Sequence, residues 1–295
     1  MTSQASAISI LVRGLFDDAS LFPPADLPMP AAVTGHARHH AAWYREMTGP
    51  FVCPDTRIGA LRLALTAGAI PEIDLSLIVT GGSGGLEAAV DEVAADPRLR
   101  LRAVEVPVGR DAGADAGTGT AQGAAELADA LDGTLLSGAA AYLEIPLPDC
   151  AADALDTVAG HGYRVKLRTG GVEAGAFPGE DVLARCLLAL AEHRLAFKCT
   201  AGLHHAVRQS ASDTGLEHHG FLNLLLAVAA AMDGAGHGDI AAVLADRDSG
   251  QVAARAATLD LDQALLTRSM FASFGTCSTD EPVADLVALG LVSGA

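Results

Sequence analysis

The sequence predicts an α/β fold, a single closed (β/α)8 TIM barrel over residues 1–295, and three observations carry that expectation. A short β-rich run followed by an Ala/Leu-rich helical run recurs along the chain, and such alternation implies parallel strand pairing. Eight such units fit into 295 residues, an ordinary length for a barrel. No Gly-rich dinucleotide fingerprint follows the first run, which disfavours an open doubly wound sheet.

The opening segment, SILVRGLFDDASLFPP followed by PAAVTGHARHHAAWYREM, supplies one unit, and its strand is the least marked. PFVCP (50–54), DLSLIVTGG (74–82), LRAVEVPVG (101–109), AAYLEIPL (140–147), YRVKLRTGG (163–171), LAFKCTAG (195–202) and MFASFGTC (270–277) supply the strands of the other seven. Between the last two strands, residues 237–269 read as a mostly helical excursion within the same domain. The low-complexity patch GRDAGADAGTGTAQG (109–123) reads as a surface loop leading into a helix, and the Pro-rich LFPPADLPMP (21–30) as a stiff wall of the barrel mouth. VTGGSGG (79–85) places glycines before a helix, as an anion-binding turn does, but Gly-rich turns of this kind are common.

Half of the residues are apolar and only 4% aromatic, so the core is expected to be built from Ala, Val, Leu and Ile. A formal net charge of −17 argues against nucleic acid and against an anionic membrane surface. LNLLLAVAAAM (222–232) is too short to span a bilayer. Cys53, Cys150, Cys186, Cys199 and Cys277 show no C-x-x-C pair, their number is odd, and no signal-peptide pattern opens the chain. These features predict a reduced, cytoplasmic protein acting on a small molecule, compatible with a homo-oligomer.

Strand parity then points to a site. Outward side chains of a barrel strand meet helices and are apolar, so polar positions face inward or lie at the mouth. In YRVKLRTGG this turns Arg164, Lys166 and Arg168 inward; in LAFKCTAG, Ala196, Lys198 and Thr200; in AAYLEIPL, Tyr142 and Glu144; in LRAVEVPVG, Glu105. Four consecutive strands thus bring charges to the inner side near their C-terminal ends, where barrel active sites are built. Buried charges are costly unless they pair or serve chemistry, and an ion-pair network that braces the barrel is the competing reading.

Of the 19 basic residues, all but Lys166 and Lys198 are arginine. On neighbouring strands, about 4.8 Å apart, two ammonium groups are expected to depress each other's pKa. A free amine attacks a carbonyl to form a Schiff base, a reaction closed to arginine, which does not deprotonate in proteins. The residue pattern itself leaves open which lysine attacks.

K-L-R-T-G (166–170) resembles the K-x-x-T-G strand of the deoxyribose-phosphate aldolase group of class I aldolases, whose lysine forms the Schiff base. K-C-T-A-G (198–202) is similar to the following strand of that group, whose second lysine tunes the first. The resemblance implies Lys166 as nucleophile and Lys198 as its partner, with no cofactor. It covers these two strands only. Leu203, His204 and His205 stand where the group has a Gly-Gly-Ile-Arg-like phosphate loop, and its proton-shuttling aspartate has no clear match, leaving Glu144 or Glu105 for that part. Along its whole length the chain also resembles a bacterial family of uncharacterised activity through LFPPA (21–25), FVCP (51–54), RTGG (168–171), FK-x-TAGLHH (197–205), HGFLN (219–223) and FGTCS-x-DEP (274–282).

The expected catalytic set is therefore Lys166, Lys198, Glu144 and His204. Arg168, Thr169, Gly170 and Gly171 are expected to grip an anion, and Glu105, Thr200, His205 and Cys277 to line the substrate site. An alternative uses His204, His205 and His219 with Glu144 to hold a divalent metal such as Zn or Mn in a lyase, isomerase or hydrolase. A second alternative is a ligand-binding barrel without catalysis. HARHH (36–40) reads as a solvated helix face, and Ser278 as the N-cap of the final helix, with Asp280 and Glu281 in its first turn. That acidic start favours a carboxylate or carbonyl substrate over a sugar phosphate.

Overall fold

Strands and helices alternate as the periodicity requires. A computed structural model describes residues 6–109, 116–135, 138–147, 150, 152–171, 173–211 and 214–294. A short α1 (Ala7–Val12) precedes β1 (Phe16–Asp18) and α2 (Met29–Ala41). Then follow β2 (Thr48–Pro54), α3 (Ile58–Ala67), β3 (Ile73–Ile78), α4 (Gly82–Ala94), β4 (Leu99–Pro107), α5 (Ala116–Thr134), β5 (Ala140–Glu144), α6 (Ala152–Gly160), β6 (Arg164–Arg168), α7 (Glu180–Glu192) and β7 (Phe197–Thr200). A small hairpin, β8 (Gln209–Ser210) with β9 (Glu217–His218), leads into α8 (Phe221–Met232). The helical excursion comprises α9 (His237–Ala245), α10 (Ser249–Thr258) and α11 (Leu261–Met270), before β10 (Phe271–Thr276) and α12 (Asp280–Ala288) close the fold.

The barrel runs β1-β2-β3-β4-β5-β6-β7-β10 and closes β10 on β1, with every pair parallel. The expected (β/α)8 architecture is what the chain adopts. Its least marked strand, β1, is three residues long and lies between β2 and β10. Outward rows are apolar and buried: Val104 and Val106, Leu143, Val165 and Leu167, Phe197 and Cys199 all join the core against the helices. The amphipathic α3 buries Ile58, Leu61 and Leu65, spaced to share one helix face, in the same core.

The excursion explains one oddity of composition. Helix α8 is apolar nearly all round because α9, α10 and α11 pack over the side that a barrel helix normally shows to solvent. Asn223 ties this layer down: its Nδ2 donates to the Val243 and Asp246 carbonyls, and its Oδ1 accepts from the Arg208 amide. Among the described residues no helix is long and apolar enough to cross a membrane.

Four local expectations are corrected. Helix α5 already begins at Ala116, so part of the Gly-rich patch expected as a loop is helical; residues 110–115 of that patch lie outside the described residues. The N-cap of α12 is Thr279, without a side-chain cap bond, rather than Ser278. His36 is buried with Nδ1 3.1 Å from Asp18 Oδ2, and His39 is also buried, so HARHH is not a solvated face. Finally, Cys150 and Cys186, expected as separate thiols, form a disulfide with Cα atoms 5.8 Å apart, joining the segment after β5 to α7.

Candidate active site

The inward side chains of five strands meet in one continuous chain of opposite charges. Lys166 on β6 and Lys198 on β7 stand in direct register. Between them lies Glu105 of β4, whose Oε2 is 2.7 Å from Lys166 Nζ and whose Oε1 is 2.5 Å from Lys198 Nζ. Lys198 also donates to Asp17 Oδ2 on β1, and Lys166 lies 2.9 Å from Glu144 Oε2 on β5. Arg168 extends the chain to solvent, with Nε 3.1 Å from Glu144 Oε1. Two hydroxyls complete the ring: Ser76 donates to Glu105 Oε1 at 2.6 Å and Ser273 to Asp17 Oδ2 at 2.8 Å. Below, Lys198 Nζ sits 5.4 Å from the centre of the Tyr142 ring, whose hydroxyl accepts from Arg164.

Exposure grades along this chain and marks the way in. The side chains of Lys198 and Glu105 are 2% exposed, that of Glu144 17%, and that of Arg168 52%. Lys166 is therefore the buried amine that borders the half-open carboxylate, whereas Lys198 is enclosed by Asp17 and Glu105.

Electrostatics correct the expectation that the pKa of Lys198 is depressed. Burial opposes the Lys198 charge, but Asp17 and Glu105 outweigh it and hold Lys198 above the ordinary lysine range. Burial likewise opposes the Glu105 charge, and Lys166 and Lys198 together overcome it, keeping this carboxyl well below its usual range. Glu144 is lowered in the same way, with Lys166 and Arg168 outweighing its burial. Asp17 differs: burial dominates Lys198, and its carboxyl is raised. Of the three carboxyls, Asp17 is the one shifted towards holding a proton. A carboxylate shared between two lysines replaces direct repulsion between them.

These shifts fix the pH response of stability. Glu105 and Glu144 have folded pKa values below their ordinary 4.5, so their stabilisation is complete above 4.5 and is lost as pH falls through the folded values. Lys198 lies above its ordinary 10.5, so its contribution is complete below 10.5 and is lost as pH rises through the folded value. Asp17 acts in the opposite sense to the other two carboxyls and softens the acid limb. Desolvation lowers His39, His40, His204 and His219 from 6.5, which adds to the acid limb, and raises Cys53, Cys199 and Cys277 from 9.0, which adds to the alkaline one. Melting temperature is expected to be flat from about pH 7 to 9 and to fall on both sides. In Glu105→Gln the fall on the acid side becomes shallower, as scanning calorimetry across pH will show.

Asp17 was missed in the sequence, although Phe16, outward and buried, already fixes its inward parity. Its Oδ1 is buried, has no hydrogen-bond partner among the described residues, and lies against β2, where a Cβ on Gly49 would come within 2.2 Å of it. Glycine is needed there because the carboxyl occupies the space of the side chain. Gly49→Ala is expected to push Asp17 off Lys198 and to lower the melting temperature by several degrees, equivalent to about 1–3 kcal/mol; an unchanged melting curve would contradict this packing.

Thr169, Gly170 and Gly171 do not form the expected anion grip. Thr169 is fully buried and donates from Oγ1 to the Ala201 carbonyl at 2.7 Å. A Cβ on Gly170 would meet Gly202 Cα at 2.7 Å, and one on Gly171 would meet the Ala176 Cβ at 2.8 Å. These residues let the turns after β6 and β7 pack together. Ala201 and Gly202 both take positive φ, 59° and 76°, to make that contact. Glu105, expected to touch substrate, is enclosed between the lysines instead. Thr200 keeps its expected place at the mouth, half-buried and inward.

The histidines go elsewhere. His204 Nδ1 lies 3.2 Å from Glu281 Oε2, and His205 Nδ1 lies 3.1 Å from Asp285 Oδ2, so the two adjacent rings clasp successive turns of α12. His219 has both ring nitrogens engaged, Nδ1 by Arg208 and Nε2 by the Pro178 carbonyl. Burial lowers the pKa of His204 and of His219. With Glu144 held by Lys166 and Arg168, the alternative metal set His204, His205, His219 and Glu144 is not brought together. Among the described residues, Asp129, Asp132 and His161 are the group that converges at ion-binding distance, but Asp132 is already bonded to His161 and Tyr163. Cys277 lies half-buried with Sγ 3.8 Å from His204 Nδ1, and burial raises its pKa, which disfavours the thiolate.

No family model matches the chain, and no curated protein matches it either. The chemistry of the Asp17–Lys198–Glu105–Lys166–Glu144 array is therefore what speaks for function.

Proposed function

We propose that this barrel is a cofactor-independent lyase of the aldolase type, acting through a Schiff base on a small carbonyl compound that carries a carboxylate. The supporting observation is the placement of the chain's two lysines: side by side on the inner wall, joined by one buried carboxylate, with Lys166 on the side that opens towards the mouth. An array of buried ion pairs is a poor means of stabilising a barrel, since apolar residues of similar volume commonly do as well or better. Its cost is better explained by chemistry.

Lys166 is the nucleophile in this reading. After passing a proton to a neighbouring carboxylate, its amine adds to the substrate carbonyl, and water leaves to form an iminium ion. The iminium draws electrons from the adjacent carbon, so a carbon–carbon or carbon–hydrogen bond there breaks with its electron pair delocalised into the enamine. Glu144, in contact with Lys166 and half-open, is placed to take and return the proton. Lys198 stays protonated and positions Glu105 against Lys166. His204 and Cys277 belong to the outer wall. The substrate is a small molecule met in the cytoplasm, and the reading requires neither nucleic acid nor a membrane.

Deuterium exchange tests this without knowledge of the physiological substrate. In D2O, NMR of a panel of aldehydes, ketones and oxo acids is expected to show protein-dependent loss of α-hydrogens for at least one member, abolished in Lys166→Met. Absence of exchange across the panel, or exchange undiminished in that variant, would overturn the reading and leave the array as a structural brace.

A further inference from the structure

We infer that Arg168 and Thr200, with the space left beside them by Gly275, form the seat for the substrate's carboxylate, which makes the substrate a short unphosphorylated oxo acid; the inference rests on the Schiff-base reading. Two levels can be distinguished inside the barrel. The lower one holds Lys166, Lys198 and Ser273, in mutual register across β6, β7 and β10, and its charges are paired throughout. Two residues nearer the mouth, about 7 Å along the strands, the same three strands carry Arg168, Thr200 and Gly275, again in mutual register.

This upper level is short of partners. Thr200 is half-buried, and no side-chain bond engages its Oγ1 among the described residues, although its carbonyl accepts from the Thr169 amide. Arg168 uses Nε and Nη2 on one oxygen of Glu144, and among the described residues no bond engages its Nη1. A Cβ on Gly275 would lie 3.6 Å from Thr200 Oγ1 and 3.7 Å from the Ala19 Cβ, which shows that the glycine leaves a hollow the size of a small group between them. A guanidinium and a hydroxyl on neighbouring strands, at one level of the barrel, suit a carboxylate. A phosphate, with its greater charge, is less favoured, because the helix after β10 begins with Asp280 and Glu281. The short separation of the two levels limits the substrate to a carbonyl a few bonds from its carboxylate.

The test compares pyruvate, 3-oxobutanoate and 4-oxopentanoate with their amides and with dihydroxyacetone phosphate, by borohydride capture on Lys166 in the wild type, Thr200→Val and Arg168→Gln. Binding of the unreactive carboxylates propanoate and butanoate is followed in parallel by NMR titration. At least one oxo acid is expected to be captured at lower concentration than its amide. Thr200→Val should raise the concentration for half-capture about tenfold, the worth of one hydrogen bond to a charged group, without changing the maximal extent or the melting temperature. Arg168→Gln should abolish the preference for acid over amide. Equal capture of acids and amides, preferential capture of the phosphorylated ketone, or a preference unaltered in Thr200→Val would overturn the inference while leaving the Schiff base standing. Carboxylate binding that is lost in both variants, with no capture of any carbonyl compound, would support the seat and overturn the Schiff-base reading instead.

Discussion

Glu105→Ala is expected to lower the stability of the barrel by about 3–5 kcal/mol, the largest change that any single substitution in this chain should produce. Among the described residues its carboxylate is the only group paired with both lysines, and it also accepts from Ser76. Removing it leaves two buried lysines without their shared carboxylate, Lys198 keeping its ion pair with Asp17 and Lys166 its pair with Glu144. Urea titration of wild type and variant gives the difference directly. The double variant Glu105→Ala with Lys198→Met should recover a large part of the loss, because one unpaired charge is removed with its partner. A midpoint within experimental error of wild type would mean that the array is not coupled as the distances imply.

Lys166→Met carries the largest expected effect on activity, a loss of roughly a thousandfold or more, as for removal of a covalent nucleophile. Lys166→Arg should be no better than methionine: it keeps the charge between Glu105 and Glu144 but cannot supply a free amine. Methionine removes the charge and leaves Glu105 to Lys198 and Glu144 to Arg168, so the fold survives for the comparison. A Glu144→Gln variant should retain the covalent step and slow proton transfer. The contrast between these variants separates a nucleophile from a member of an ion-pair brace, since a brace would tolerate arginine.

Much of this site was legible before any coordinates, for a simple reason. Barrel strands have a period of two and one apolar side, so Leu143, Val165, Phe197 and their neighbours fix which residues face inward. Glu105, Glu144, Lys166 and Lys198 follow from that rule and are where it puts them. Asp17 follows from it too, but β1 spans only three residues, and so short a run gives little sign that it is a strand at all.

What the rule does not reach is contact between distant segments. The clasp of His204 on Glu281 and of His205 on Asp285 joins residues 77 and 80 positions apart, and nothing in either segment alone announces the other. Likewise, a glycine pair such as Gly170–Gly171 serves a ligand or another backbone equally well. Only the 2.7 Å approach to Gly202 assigns Gly170 to the second role. The expectation of a lowered pKa failed at Lys198 because parity gives no distances, and the carboxylate of β4 lies between the two lysines.

Reduction with borohydride in the presence of a small-carbonyl panel, followed by peptide mass mapping, tests the central claim most directly. The account predicts a substrate-dependent mass increase, equal to the carbonyl compound less one oxygen atom because water is lost and two hydrogens are gained, on the peptide containing Lys166 and absent from Lys166→Met. An adduct confined to Lys198, or no adduct with any carbonyl compound, would contradict it.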